Sequence, residues 1–465
     1  MPAGLHLKQR PEVPGHEMRS LYGNRELGLL AFNRRVLAQA ADPAYPLLER
    51  LRFLSIVSSN LDEFFEIRMA GVKAELHAGA TRPGPDGMLP AEVFSAVSRE
   101  AHALVEAQYR LLNEELLPAL ERDGIRFLRR SEWSARQAEW IRNYFFSDVK
   151  PVLTPIGLDP AHPFPRVLNK SLNFAVQLEG KDAYGRKSGI AIVQAPRVLP
   201  RVIRLPETIS EARHDFVFLS SVLHAHLHEL FPGMTIVDCY QFRLTRNSEL
   251  FVDEEEVKDL RSALRGELPY RHFGDEVRLE VASNCAPLIA NLLLDQFGLG
   301  KDDLYCVDGP VNLVRLLSVP DDVDRPDLKF PVFVQGLPVQ LQRQRDMFAA
   351  IRAGDILLHH PYQSFEPVLR LLDEAARDPA VVAIKQTVYR TGSESKVMEK
   401  LIAAARAGKE VTVVVELLAR FDEEANINWA QQLEDAGAHV VYGVVGHKTH
   451  AKMLMVVRRE AQTLR

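Results

Sequence analysis

The sequence predicts a multidomain α+β protein: an N-terminal helical bundle, an α+β middle region and an α/β domain in the last third. Three observations predict this. Apolar residues recur at helical spacing through the first third. Short apolar runs alternate with helical stretches between about residues 150 and 335. From "DILLHHPY" onward, β-branched strands alternate with helices closed by glycine. A chain of 465 residues is long enough for two to four domains, each with its own core.

After a polar tail (1–19), a helical domain is expected over 20–121. "RELGLLAFNRRVLAQA" reads as its first helix, stopped by Asp42-Pro43. "PLLERLRFLSIV" starts a second, with Pro46 near its first turn. "NLDEFFEIRMAGVKAEL" reads as a third, opened by Asn60, with Glu63 completing a capping box. "AGATRPGPDGMLP" is a loop. "AEVFSAVSREAHALVEAQYRLLNEELLPALERDG" is long, amphipathic and closed by Gly124, which points to a bundle.

A middle (head) domain is expected over 122–335, where a helix at about residues 134 to 146 leads to "DVKPVLTPIGLDPAHPFP". Its strands are "LNFAVQL", "GIAIVQ", "TIVDCYQFRLT" and "EVRLEV"; its helices include "VKDLRSALRGEL" and "APLIANLLLDQFG". The last domain, 336–465, runs "VVAIKQTVYR" (strand), "SKVMEKLIAAARAG" (helix closed by Gly408), "EVTVVVELLAR" (strand), "DEEANINWAQQLEDAG" (helix closed by Gly437) and "HVVYGVV" (strand). This β-α-β-α-β order predicts a parallel sheet covered on both faces. Asp422 is the expected cap of its second helix, with Glu423 and Glu424 favourable at the helix dipole.

The net charge of −5 is mild, so bulk charge makes no case for nucleic acid, although it permits a local basic pocket. "MPAGLHLKQRPEVPGHEMRS" has no apolar h-region and is not a secretory signal. No apolar run is long enough to span a bilayer. Cys239, Cys285 and Cys306 form no CxxC pair and read as buried, reduced thiols of a cytoplasmic protein. The two-residue spacing of His224, His226 and His228 spreads them around a helix, which favours a polar surface over a metal site.

Two arginines follow consecutive strands, Arg390 after "VVAIKQTVY" and Arg420 after "VTVVVELLA". Open α/β sheets bind ligands beyond the carboxyl ends of their strands, and right-handed crossovers bring such positions together. Paired guanidiniums suit phosphate oxygens. The alternative is a local salt bridge for each, with Glu416 or Asp422 available. In "GVVGHKTHAKMLMVVRRE", His450 and Lys452 share one face of a strand, while Ala451, Met453, Met455 and Val457 on the other face read as core. An imidazole can take a phosphoryl group covalently, and a neighbouring ammonium can stabilise its charge; the alternative is a solvated strand face. "GHKT" is not a P-loop, because its glycine is out of register and no helix follows.

"NRELGLLAFNRRVLAQA", "RLRFLSIVSSNLDEFFEIRMAGV", "PVLTPIGLDPAHPFP", "DILLHHPYQSFEPVLRLLDEAARDPAVVAIKQTVYRTG", "VELLARFDEEANINWA" and "GVVGHKTHAKMLMVVRRE" strongly resemble, in order from about residue 20 to residue 460, the first type of bacterial polyphosphate kinase. The resemblance implies reversible transfer of the ATP γ-phosphate to inorganic polyphosphate through a phosphohistidine. It implies a helical N-terminal domain, a head domain and phospholipase-D-like α/β domains. It makes His450 the phosphorylated histidine, Lys452 its charge-stabilising neighbour, Arg390 and Arg420 phosphate ligands, and Asn60 a contact of the nucleotide. The resemblance also implies Mg²⁺ beside Arg390 and Arg420, held through shared phosphate oxygens because a guanidinium has no lone pair to offer. ATP, ADP and polyphosphate are the implied partners, with a homo-oligomer, no nucleic acid and at most peripheral membrane association.

Family members continue into a second phospholipase-D-like domain, so 336–465 is expected to hold the first half of a two-half site and to expose apolar surface. Two rival readings follow. One is a non-catalytic polyphosphate- or nucleotide-binding module. The other is a phospholipase-D-like phosphodiesterase, disfavoured because Val457 stands where that class has an aspartate.

Overall fold

A computed structural model describes residues 21–158, 163–181, 189–250, 259–343, 346–443 and 447–465. The polar tail 1–19 and part of "DPAHPFP" lie outside them. The chain divides into two compact units. Met1–Ser248 and His272–Pro331 form the first, Glu249–Arg271 and Val332–Arg465 the second. The multidomain α+β class holds, with helices first and sheets after.

The first unit begins with helix Arg25–Ala41. The Asn24 side chain caps it by accepting the Leu27 N–H at 2.9 Å. Helix Leu47–Glu63 then continues through a π-turn, Phe64–Met69, into Ala70–His77. Asn60 is therefore interior to a helix and caps nothing, which corrects the capping-box expectation. The physical reason is that neither glycine nor proline interrupts residues 47 to 70. The serines before Asn60 are occupied as helix-interior residues: Ser58 Oγ accepts Gln108 Nε2 of helix Pro90–Leu111 at 2.8 Å, and Ser55 Oγ donates to Leu51 O one turn back. Asn60 Nδ2 donates to Asn33 Oδ1 at 3.1 Å.

The long helix Pro90–Leu111 runs on through a second π-turn, Leu112–Leu116, and Leu117–Arg122. It stops at Gly124, whose φ of 77° suits glycine and strains any other residue. Leu48, Leu51, Leu54, Val57, Ala101 and Leu116 are fully buried between these rods, at about 1.5–3 kcal/mol for each large aliphatic side chain.

Among the described residues of the first unit nine strands follow: β1 (Ile125–Phe127), β2 (Thr154–Gly157), β3 (Leu172–Gly180), β4 (Ile190–Ala195), β5 (Val202–Arg204), β6 (His214–Phe218), β7 (Met234–Arg246), β8 (Glu276–Ala282) and β9 (Leu304–Val307). They form a small β1-β6-β5 sheet and a six-stranded β2-β4-β3-β7-β8-β9 sheet, mostly antiparallel. A buried ion cluster joins the large sheet to the helices. Asp62 accepts from Arg243 at 2.9 Å through both oxygens and from Arg278 at 2.8 Å, and both arginines also meet Glu280. Burial alone would raise Asp62, but Arg243 and Arg278 outweigh it and hold the carboxyl below its ordinary range. Cys239 is buried as expected; Cys306 is exposed, which corrects the reading of all three thiols as buried.

The second unit carries β10 (Val381–Val388), β11 (Glu410–Val415), β12 (His439–Tyr442), β13 (Leu454–Glu460) and β14 (Thr463–Leu464), in the order β12-β11-β10-β13-β14. β10, β11 and β12 are parallel; β13 runs antiparallel to β10. Helices Glu366–Arg377, Lys396–Arg406 and Glu423–Asp435 contribute Leu372, Met398, Leu401 and Leu433 to one core with Ile384, Val411, Val413 and Val415. Consecutive right-handed crossovers in one direction put their helices on the same side of a sheet. This sheet is covered on one face, and the expectation of cover on both is corrected. Pairing of Met455 with Lys385, and of Leu454 with Gln386, sets which way β13 faces. Leu454 and Val456 pack toward the core, while Met453 and Met455 are 61% and 46% exposed on the open face. The expectation that the odd-numbered residues 451–457 form core is thus reversed.

Candidate active site

Arg390, Arg420, His450 and Lys452 all belong to the second unit; Asn60 belongs to the first. Tyr389 and Arg390 directly follow β10. Arg390 Nε pairs with Asp422 at 2.7 Å, and its Nη2 donates to the Arg420 carbonyl at 2.8 Å. The two arginines that consecutive strand ends predict are therefore brought together. Asp422 stands at the N-cap position of helix Glu423–Asp435, but its side chain makes no capping bond. It holds Arg390 instead, which corrects the capping role given to it. Arg420 Nη2 pairs with Glu249. The Arg390–Asp422 pair matches the salt-bridge alternative, whereas Arg420 takes the distant Glu249 in place of Glu416 or Asp422; both pairs use only part of each guanidinium. Arg390 Nη1, and Arg420 Nε and Nη1, make no hydrogen bond among the described residues, so each fork keeps donors for an oxyanion.

His450 and Lys452 precede β13 and are not paired in the ladder. The expectation that they lie on a strand is corrected to an extended segment tied to the end of β10 by Thr387. Thr387 N donates to Met453 O at 3.0 Å, Thr387 Oγ1 donates to Ala451 O at 2.7 Å, and Met453 N donates back to Thr387 Oγ1 at 2.8 Å. His450 N donates to Lys448 O at 2.9 Å, a tight turn that breaks the extended pairing just before the ring.

The two side chains meet at Tyr389. The His450 ring stands edge-to-face against it, with centroids 4.6 Å apart at 82°. Lys452 Nζ lies 4.7 Å from the Tyr389 ring centroid and donates to the His450 carbonyl at 2.6 Å. Tyr389 is the residue next to Arg390, so a single strand end serves the imidazole, the ammonium and the first guanidinium.

Residues that sequence reasoning missed hold this arrangement. Asn426, fully buried, donates to Tyr389 O at 2.8 Å and to Glu416 O at 2.9 Å, clamping the ends of β10 and β11. Glu416 Oε2 accepts the Thr449 N–H at 2.7 Å, and its Oε1 accepts the Leu418 N–H. A signal for Asn426 existed: in "NINWAQQL" it shares the apolar helix face of Ile427, Trp429, Ala430 and Leu433, where an amide requires a partner. No such signal existed for Glu249, which lies far upstream.

Among the described residues no group of three or more His, Cys, Asp or Glu is placed to hold a metal. Asp422 and Glu249 are each engaged by an arginine. The donor set fits a magnesium ion arriving on a nucleotide's phosphate oxygens, and not one caged by protein oxygens. No helix of the described residues is long and apolar enough to cross a membrane.

Three family models match the chain in succession: the polyphosphate kinase N-terminal domain over residues 22–128, its middle domain over 136–319 and its C-terminal domain 1 over 346–465. A polyphosphate kinase of Burkholderia multivorans is 61% identical over 439 residues, covering 94% of this chain and 64% of that protein. One of Burkholderia vietnamiensis is 61% identical over 436 residues, with the same coverage. The chain thus spans 64% of the length of these curated relatives. The crystal structure of polyphosphate kinase from Porphyromonas gingivalis superposes with a TM-score of 0.77 at 27% identity, covering 94% of this chain and 62% of that one.

Proposed function

The chain belongs to the polyphosphate kinase family, and from that premise we propose that it serves reversible transfer of the ATP γ-phosphate to inorganic polyphosphate, with His450 carrying the phosphate. The observation that carries the proposal is the gathering of His450 and Lys452 on the Tyr389 ring, one residue from an arginine that keeps donors to spare. A ring nitrogen of His450 attacks the γ-phosphorus in line. The N–P bond forms as the bond from that phosphorus to the β-phosphate oxygen breaks, and ADP leaves. A terminal phosphate oxygen of polyphosphate then displaces the imidazole. Arg390, Arg420 and Lys452 offset the charge on the transferring group. Magnesium enters with the nucleotide as part of the substrate. Asn60 meets the nucleotide, a role supported by a side-chain carbonyl that accepts no hydrogen bond among the described residues.

Incubation with magnesium and ATP labelled at either the γ- or the α-phosphate tests this. Acid-labile γ-label should be retained on the protein and lost in His450→Ala, with no retention of α-label. Undiminished γ-label in His450→Ala overturns the proposal.

A further inference from the structure

In the first unit, a cleft between the β4–β5 loop, the turn after β9 and strand β7 is lined by cations that lack carboxylates. Arg201, half-buried, lines it. Arg201 Nη2 donates to Ala195 O at 2.9 Å, but Nη1 is buried without a partner. Arg315 lines the same cleft, exposed at the rim. Neither Arg201 nor Arg315 makes an ion pair among the described residues. Two more polar atoms there are buried and unpaired, Gln241 Oε1 and Asn312 Oδ1. Ser220 and Gln241 also wall an adjoining cavity of about 230 Å³, which adds Arg130, Ser221 and Asn284. Among the described residues no aspartate or glutamate lines either space.

Charges without counter-ions are costly to hold together, and cores rarely keep them unpaired. Here burial and the nearby Arg315 and Arg197 push the Arg201 guanidinium down to about 10. A water molecule would meet the hydrogen-bond demand of Arg201 Nη1 but leave the charges uncompensated. An oxyanion meets both demands. Guanidinium forks bind its oxygens and the Ser220 hydroxyl adds a donor. Gln241 Nε2 donates to Gly309 O at 2.9 Å, so its Oε1 accepts from a P–OH, while the Asn312 amide accepts likewise or, turned over, donates through N–H.

We propose that this cleft is a phosphate subsite of the first unit, distinct from the Arg390–Arg420 pair, that takes one phosphoryl group of an inorganic polyphosphate chain. The oxyanion chemistry stands on the cleft itself; the choice of polyphosphate rests on the function proposed above.

The test is titration calorimetry of sodium tripolyphosphate into the chain carrying Arg390→Ala and Arg420→Ala, which removes the paired guanidiniums of the second unit. One site per chain should remain. Adding Arg315→Gln or Arg201→Met should weaken it by about tenfold or more, the loss of one charge-assisted hydrogen bond. Arg315 is exposed, so thermal melting of Arg315→Gln should match its parent and exclude misfolding as the cause. Absence of binding in the Arg390→Ala/Arg420→Ala chain, or affinity indifferent to Arg315→Gln and Arg201→Met, overturns the subsite. Orthophosphate binding many-fold tighter than tripolyphosphate overturns its assignment to a polyphosphate chain. Labelling of His450, read separately on the otherwise unmodified chain with Arg315→Gln, distinguishes failure of the subsite from failure of the phosphohistidine.

Discussion

Tyr389 presents one aromatic ring to two partners of different chemistry. A ring carries negative charge on its face and positive charge at its edge, so an ammonium over the face and an imidazole at an angle are both favourable. The ring therefore positions Lys452 and His450 without taking part in any bond change. Its hydroxyl makes no hydrogen bond among the described residues, so Tyr389→Phe should label from γ-labelled ATP at the wild-type rate. Tyr389→Leu removes the quadrupole. At an exposed site this is worth about 0.5–1 kcal/mol, so the initial labelling rate should fall about two- to fivefold; an unchanged rate in Tyr389→Leu would refute the positioning role. Residue chemistry was legible in part. His450, Lys452, Arg390 and Arg420 stood out by type and spacing, and the structure brings them to one neighbourhood. Tyr389 passed as the apolar end of a strand, because nothing in "TVYR" says which side chains return to it from sixty residues on.

Asn426 matters for what it does to two strands. Its amide is the bridge between the carbonyl ends of β10 and β11, both of which end in site residues. Asn426→Ala leaves two acceptors unpaired in a dry environment, at about 1–3 kcal/mol. The urea midpoint of the second unit, followed by Trp429 fluorescence, should drop accordingly; an unmoved midpoint would show the clamp to be dispensable. In the first unit, Asp215 on β6 plays a comparable part. Burial would raise its carboxyl, but the Arg126 guanidinium at 2.8 and 2.9 Å and the N–H groups of Glu211 and Ala212 hold it below its ordinary value. A depressed carboxyl contributes stability that is present above the unfolded-state value, about 3.9, and is lost as pH falls through the lower folded value. Stability should thus decline below about pH 4, and Asp215→Asn should flatten that decline while lowering stability at pH 7. A decline of equal steepness in the variant would remove Asp215 as its source. At this scale the helices were legible from period and closing glycines, and the parallel strands from their β-branched runs. The helix through Asn60 was misread because a polar Ser-Ser-Asn sequence imitates a start, although Ser58 is taken up by Gln108 of the neighbouring helix Pro90–Leu111. The facing of β13 was misread because alternation shows that two faces differ, and not which one meets the helices.

Across the whole chain, the features out of reach of sequence reasoning are those made by distant segments. Residues 249–271 group with the closing sheet, and Glu249 supplies the partner of Arg420 from 171 positions away. Asp62 reaches Arg243 and Arg278 over 181 and 216 positions, welding helices and large sheet into the first unit. Periodicity carries no information about such pairs. The claim on which the account depends is that one imidazole holds a phosphate that can go back where it came from. Phosphorus NMR of the chain at neutral pH after magnesium and ATP tests it directly. A phosphoramidate resonance should appear and then vanish on adding ADP as ATP is regenerated. No such resonance while ATP is bound, or the same resonance in His450→Ala, would contradict it.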